Sequence, residues 1–260
     1  MILGILQARA SSRRLPSKVL KPILGRPMLE RQIERLRRAR RMDTLTVATS
    51  TDPSDDPIAA LCRSLTVECF RGSLDDVLDR FYQASRHASA GTVVRLTGDC
   101  PLADPDEIDW VIDTHVREGY DYTTNALPPR RIPDGLDVEV IAMPCLEIAW
   151  REATLPSERE HVTPFIYNHP ERFRFAWQGR PADLSRLRWV VDEPEDFAFV
   201  SAVYEALYPT DPAFGTADVL ALLERRPDIA AKMGRAPTNE GYRRSLAADP
   251  AALAARKGKT

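Results

Sequence analysis

Three places in the sequence bring together residue types able to handle phosphate. Residues 7–18 (QARASSRRLPSK) follow the apolar run ILGILQ and gather Arg9, Arg13, Arg14 and Lys18 with Ser11, Ser12 and Ser17 in one loop. Such guanidinium, ammonium, hydroxyl and backbone N–H groups can neutralise a polyphosphate through charge-assisted hydrogen bonds. The stretch VVRLTGDCPL runs an apolar strand pattern straight into Gly98 and Asp99, and LRWVVDEPED repeats the design at Asp192. A carboxylate at the tip of a buried strand is costly unless it meets a cation, and beside phosphates the usual cation is a hard divalent metal. Asp99 and Asp192 are therefore the metal candidates, with Mg²⁺ as the expected ion. Simpler readings stand beside these: the loop as a salt-bridged surface turn, and Asp192 as the N-cap of a helix that has Pro194 near its start. The loop matches neither the G-x-x-x-x-G-K-[ST] phosphate loop nor the G-x-G-x-x-G dinucleotide fingerprint.

These residues need a scaffold that delivers strand ends to one place. The apolar runs ILGILQ, TLTVAT, TVECF and GTVVRLT alternate with amphipathic stretches at 28–40, DDPIAALCRSL (Pro57 in its first turn) and SLDDVLDRFYQASRHAS (Ser73 as N-cap), then DPDEIDWVIDTHVREG. Strand then helix, repeated four times in the first 120 residues, predicts a three-layer α/β fold with a mostly parallel sheet. In such sheets ligands bind where loops converge at the carboxyl ends of the strands. Beyond residue 120 the rhythm changes. YDYTTN, GLDVEVIAM, FRFAWQ and LRWVV read as strands, MPCLEIAWREA, SEREHVTPFIYNH, DEPEDFAFVSAVYEAL and TADVLALLERR as helices. One domain over 1–231 is expected, with 232–260 as a surface-wrapping or partly disordered tail.

Composition sets the outer limits. The 260 residues, 43% hydrophobic and 28% charged with a net charge of −2, fit a globular protein rather than a disordered or collagen-like one. Only 12 glycines occur, where usage of about 7% would give roughly 18, so a glycine-rich phosphate loop is not expected. The near-neutral total hides an asymmetry: residues 9–41 hold twelve Lys or Arg against Glu30 and Glu34, a local +10 that leaves −12 for the rest. Focused positive potential recruits anions. The arginines from Arg31 to Arg41 fall in a helix and are expected mostly at its surface. Cys62, Cys69, Cys100 and Cys145 form no C-x-x-C pair and read as buried thiols, and no H-x-x-x-H pair suggests zinc. The first apolar run is too short for a signal peptide or a membrane span, so a cytoplasmic protein without a membrane partner is expected.

The opening loop, GRPML, TSTDPSDDPI, FRGSLDDVLDRF, VRLTGDCPLADPDEID, PDGLDVEV, EREHVTPFI and VDEPEDF, in that order over residues 2–208, resemble the sugar-acid cytidylyltransferases. The likeness is strongest to their spore coat polysaccharide biosynthesis branch, related to the 3-deoxy-manno-octulosonate and acylneuraminate enzymes. NEGYRRSL at 239–246 is similar to this branch too. The resemblance implies a Rossmann-like nucleotide-diphospho-sugar transferase fold. It also implies CTP as substrate, Mg²⁺ as cofactor, and transfer of CMP to a sugar acid or related sugar with release of pyrophosphate. By the same resemblance Arg9, Arg14 and Lys18 contact the triphosphate alongside Ala8, Ser11 and Gly98, while Asp99 and Asp192 hold the metal. Arg71, Gly72 and Ser73 lie beside the pyrimidine with Asp76 at the next helix start, and Asn125, Asp134, Asp137 and Glu139 face the sugar. Asp134 with Gly135 also fits an ordinary hairpin turn, and Glu139 the solvent face of an alternating strand. Relatives form dimers, so a homodimer is implied. The chain departs from the pattern at Ser11 and Ser17, where such loops commonly carry glycine, the residue most at ease with φ > 0.

Three other readings remain at this point. A glycosyltransferase on the same scaffold would usually anchor its metal through D-x-D, which Gly98-Asp99-Cys100-Pro101 does not supply. A nucleic-acid binder using the basic helix would leave Asp99 and Asp192 unexplained, and the remaining −12 would repel a polyanion. A non-catalytic nucleotide-binding relative is the third.

Overall fold

A computed structural model describes residues 1–237 and 240–257. The chain runs β1 (Ile2–Gln7), β2 (Pro22–Ile23), β3 (Arg26–Pro27), α1 (Met28–Leu36), β4 (Thr44–Ser50), α2 (Asp56–Ser64), β5 (Glu68–Gly72), α3 (Val77–His87) and β6 (Thr92–Thr97). It continues through α4 (Pro105–Glu118), β7 (Tyr122–Thr124), β8 (Glu139–Ala142), α5 (Met143–Glu152), α6 (Pro156–His161), α7 (Pro164–Tyr167) and β9 (Phe175–Trp177). It closes with α8 (Pro194–Leu207), α9 (Thr216–Arg225), α10 (Pro227–Ala230) and α11 (Glu240–Lys257).

Seven strands form one sheet in the order β5-β4-β1-β6-β8-β7-β9. All pairings are parallel except the two made by β8, which runs antiparallel to β6 and β7. The period-2 alternation of β1 explains its central place: Leu3 and Ile5 face one layer and Leu6 the other, all fully buried. The first layer holds α3, α5 and α7 through Leu78, Phe81, Leu146 and Ile166; the second holds α1, α2, α4 and α8 through Ile33, Ile58, Ile112 and Val203. Helices on both faces of a mostly parallel sheet make the expected three-layer α/β fold.

Several local expectations change. LRWVV is not a sheet strand: it runs extended beside residues 134–136, touching them through one isolated bridge between Asp134 and Arg188 and anchored by the fully buried Trp189. SEREHVTPFIYNH breaks into α6 and α7 at Val162, whose φ of 72° and ψ of −54° form a γ-turn closed by Thr163 N donating to His161 O at 2.8 Å. The N-cap of α3 is Asp76 rather than Ser73, with Asp79 N donating to its Oδ1 at 2.9 Å. The basic helix is less superficial than expected. Arg31 and Arg35 are buried, Arg35 donating to the carbonyls of Ala103 and Phe214. Arg37, Arg38, Arg40 and Arg41 also reach carbonyls or acids within the chain. Cys62, Cys100 and Cys145 are buried, and Cys69 is half-buried. Among the described residues no helix is long and apolar enough to cross a membrane.

Candidate active site

The loop after β1 is built from its backbone outward. Ala8 N donates to Ala48 O at 3.1 Å, continuing the β1–β4 register past the strand end. Ala10 N donates to Asp55 Oδ1 at 2.7 Å, and the other oxygen of this fully buried carboxylate accepts from Ser50 N and Oγ. Asp55 thus fixes the loop to the turn before α2, and nothing in TSTDPSDDPI separates it from Asp52 and Asp56. Ser17 N donates back to Ala10 O at 2.9 Å, which folds residues 10–17 into a closed turn. Ser17 takes φ 54° and ψ 28°, the left-handed conformation in which a side chain costs about 1–2 kcal/mol. Of the two glycine-replacing serines, only Ser17 has a positive φ.

The closed turn aims Lys18 inward, where it is 8% exposed. Its Nζ donates to Asp99 Oδ2 at 3.1 Å, to Asp192 Oδ1 at 2.9 Å and to Val191 O at 2.7 Å. Asp99 follows β6 through Gly98, whose missing Cβ lets the strand end lie against β1: a Cβ there would stand 2.9 Å from Gln7 O. Asp192 arrives from the extended segment, where Val191 N donates to Asp99 O at 2.8 Å. Asp192 does not cap α8; Glu193 does. Burial works against the charge on both partners of the Lys18–Asp99 pair. Their mutual attraction outweighs it, raising the Lys18 pKa and holding Asp99 down at about 2.

Around this centre lies a chain of alternating charge. Arg14 meets Asp192 Oδ1 at 2.9 Å and Glu193 Oε1 at 3.4 Å. Arg188, which the sequence reading did not single out, joins Asp134 Oδ2, Asp192 Oδ2 and both oxygens of Asp196, all at 3.0–3.1 Å. Arg130 holds Asp137 and lies 3.5 Å from Asp134. Burial raises the Asp137 pKa to about 6 even with Arg130 opposing it. Gly135 makes the crossing possible: its φ is 112°, and a Cβ would sit 2.6 Å from Val190 N. Arg188 was hidden because Asp134, 54 residues away, joins it only in the folded chain.

Most of the sugar-side and base-side candidates have partners within the chain. Asn125 is fully buried and staples backbone, donating to Leu136 O at 3.0 Å and accepting from Val138 N at 2.8 Å. Glu139 does not face solvent: it is 6% exposed, and Tyr122, Thr163 and Arg95 donate to it. Asp134 is buried against Arg188, leaving Asp137 as the half-buried carboxylate of that set. Asp76 is occupied by its cap and by Arg159, whose Nε lies 3.0 Å from Oδ1. Arg71 ties β5 to the end of β4 and the turn that follows, donating to Ser50 O at 2.8 Å and to Asp52 O at 3.1 Å, while Gly72 and Ser73 lead into the turn before α3. Arg9 and Ser11 are exposed at the loop's outer rim.

The donor set fits a hard divalent cation in its chemistry. Two carboxylates already converge on one positive charge beneath a cationic loop, and Mg²⁺ is commonly held by one or two carboxylates plus substrate phosphates. Among the described residues no group of three or more His, Cys, Asp or Glu is arranged as a complete cage.

Comparison with known proteins gives the arrangement a family. The chain is 41% identical over 198 residues to the uncharacterized protein MJ1063 of Methanocaldococcus jannaschii, covering 75% of this chain and 80% of that one. It is 34% identical over 238 residues to the spore coat polysaccharide biosynthesis protein SpsF of Bacillus subtilis, covering 88% and 96%. The solved structure of a cytidylyltransferase from Leptospira borgpetersenii superposes with a TM-score of 0.85 at 27% identity, covering 91% of this chain and 99% of that one. The model of the cytidylyltransferase family matches residues 3–209, the span that holds the loop 8–18, Asp99 and Asp192, and the chain belongs to that family.

Proposed function

We propose that the protein transfers CMP from CTP to a hydroxyl of a sugar acid or related sugar, giving a CMP-sugar for surface polysaccharide or glycan synthesis. The observation that carries this reading is the convergence of Asp99 and Asp192 on Lys18 at the foot of the loop 8–18. The acceptor oxygen attacks the α-phosphorus, the bond between that phosphorus and the oxygen bridging to the β-phosphate breaks, pyrophosphate leaves, and the hydroxyl proton passes to solvent. Such transfers depend on positioning and charge neutralisation more than on covalent help from the protein. Arg9, Arg14, Lys18 and Ser11 bind the triphosphate, with Ala8 and Gly98 letting it approach the backbone. The main chain at Arg71, Gly72 and Ser73 borders the pyrimidine, and Asp137 is the acceptor-side carboxylate. Asp99 and Asp192 would hold Mg²⁺, which would supply further neutralisation of the leaving pyrophosphate.

Pyrophosphate release from CTP and Mg²⁺ across a panel of sugar acids tests the reading. CTP-dependent pyrophosphate with at least one acceptor is expected. Release of a nucleoside diphosphate instead would mark a glycosyltransferase, and no Mg²⁺-dependent stabilisation by CTP would remove the nucleotide itself from the account.

A further inference from the structure

Helix α11 lies beyond the 3–209 span of the family match, yet its first turn reaches the phosphate-type loop. Glu240 Oε2 is 2.6 Å from Arg14 Nη1. One turn on, the buried Ser245 hydroxyl bonds both His161 Nε2, at 3.0 Å, and Glu160. Farther along, Asp249 accepts from Ser157 N at 3.0 Å and from Ser157 Oγ at 2.6 Å, both bonds buried. The middle of the helix, at Ser245 and Asp249, is therefore its anchor on α6, and Glu240 is its reaching end.

Arg14 carries three carboxylates around one guanidinium: Asp192, Glu193 and Glu240. A guanidinium so occupied presents an incoming polyphosphate with surplus negative charge until one partner leaves. Two of the three are held by their backbone, since Asp192 N and Glu193 N both donate to Asp196 Oδ2 at 2.9 Å. Glu240 is also the most exposed, at 43% of its side chain against 20% and 29%, so releasing it disturbs the least structure.

We propose that the first turn of α11 gates the triphosphate site: Glu240 and a nucleoside triphosphate compete for Arg14, while Asp249 and Ser157 keep the helix attached. The gate rests on the proposed function only in taking the loop 8–18 as the phosphate site. Coupling of this kind is reciprocal. Removing the Glu240 charge should tighten triphosphate binding, and bound triphosphate should in turn loosen the Glu240–Arg14 contact.

The test is titration calorimetry on the full chain at physiological salt, with inorganic tripolyphosphate and, separately, CTP. Glu240→Gln should lower the Kd for tripolyphosphate by about 1.5- to fivefold, the range an ion pair of this exposure supports. Glu195→Gln, which removes an equal charge from an exposed side chain of α8 outside the Arg14 cluster, should change it far less. In the wild-type protein, saturating tripolyphosphate should speed amide exchange across residues 240–245 and leave Asp249 protected. An unchanged or raised Kd in Glu240→Gln, equal tightening in both variants, or no tripolyphosphate binding at all overturns the gate. Tightening toward tripolyphosphate with no CTP binding by either protein leaves the gate standing and overturns the cytidylyltransfer reading.

Discussion

Lys18 Nζ and Asp99 Oδ2 lie 3.1 Å apart, and the same ammonium reaches Asp192, so one cation joins the end of β6 to the segment that follows Trp189. The contact is at once part of the fold and part of the site. Two carboxylates drawn to one point without a counter-charge would repel each other and raise the energy of the folded state, because both are largely removed from water.

Lys18→Met should therefore destabilise the metal-free protein by about 1–3 kcal/mol, less than for a fully isolated pair because Arg14 and Arg188 still neutralise Asp192. Mg²⁺ should then raise the melting temperature of the variant more than that of the wild type, since the ion would take over the ammonium's place between the carboxylates. Equal Mg²⁺ shifts in the two proteins would count against a metal held by this pair.

The two serines standing where related loops carry glycine should respond in opposite directions. Ser17 occupies the left-handed region, so Ser17→Gly should stabilise the protein by up to about 1 kcal/mol, the relief of strain less the greater freedom of glycine in the unfolded chain. Ser11 has no positive φ, so Ser11→Gly should cost about 0.5–1 kcal/mol. Chemical denaturation of both variants decides the matter, and the same sign in both would sink the argument.

The contrast shows what the sequence could and could not reveal. Strands β1, β4, β5 and β6 were legible because apolar runs of their length, ended by turn residues and followed by helical spacing, carry their own local signal. Asp99 and Asp192 stood out for the same reason, as charges placed abruptly after apolar runs. LRWVV carried that signal too, yet it lies outside the sheet, because an apolar run reports burial and not which neighbour buries it. Asp55, Arg188 and Glu240 were not legible as site residues. Each owes its place to a partner distant in sequence, and acids such as Asp52, Asp55 and Asp56 look alike until the loop at Ala10 arrives to choose one. Glu139 and Asn125, read from the sequence as polar groups free to meet a ligand, bond within the framework instead, through partners 11 to 24 residues away that no local pattern announces.

Gly135→Ala should be among the most damaging single substitutions in the chain. The new methyl group would meet backbone at 2.6–2.7 Å, at Val190 N and Trp189 C, and φ would remain at 112°. Neither neighbour is a flexible side chain that could swing away. A loss of at least about 2–3 kcal/mol is expected, with weaker CTP binding as Arg188 is displaced from Asp192. A variant that melts within a degree of the wild type would show that the crossing of the two segments is softer than its geometry implies.

Folding stability should also depend on pH through a buried histidine of α4. His115 on α4 is 4% exposed and shares a 3.1 Å hydrogen bond with Thr123 Oγ1, and burial pushes its pKa from 6.5 down to about 4. Above pH 6.5 the ring is neutral in both folded and unfolded chains and contributes no slope. As the pH falls from 6.5 to 4 the unfolded chain takes up the proton and the folded one does not, so stability declines. The limiting slope is about 1.4 kcal/mol per pH unit for one such group, and the loss totals about 3 kcal/mol before it levels off below pH 4. His161 is pushed to about 4 as well, by burial and the nearby Arg95, and adds a parallel decline. Asp137, raised to about 6, works in the opposite sense in both proteins, so urea unfolding between pH 4 and 8 should show His115→Gln with a slope below pH 6.5 that is smaller than that of the wild type by up to about 1.4 kcal/mol per pH unit. An unchanged slope would mean that the His115 ring is protonated in the folded state, with Thr123 and the nearby Asp121 stabilising its charge.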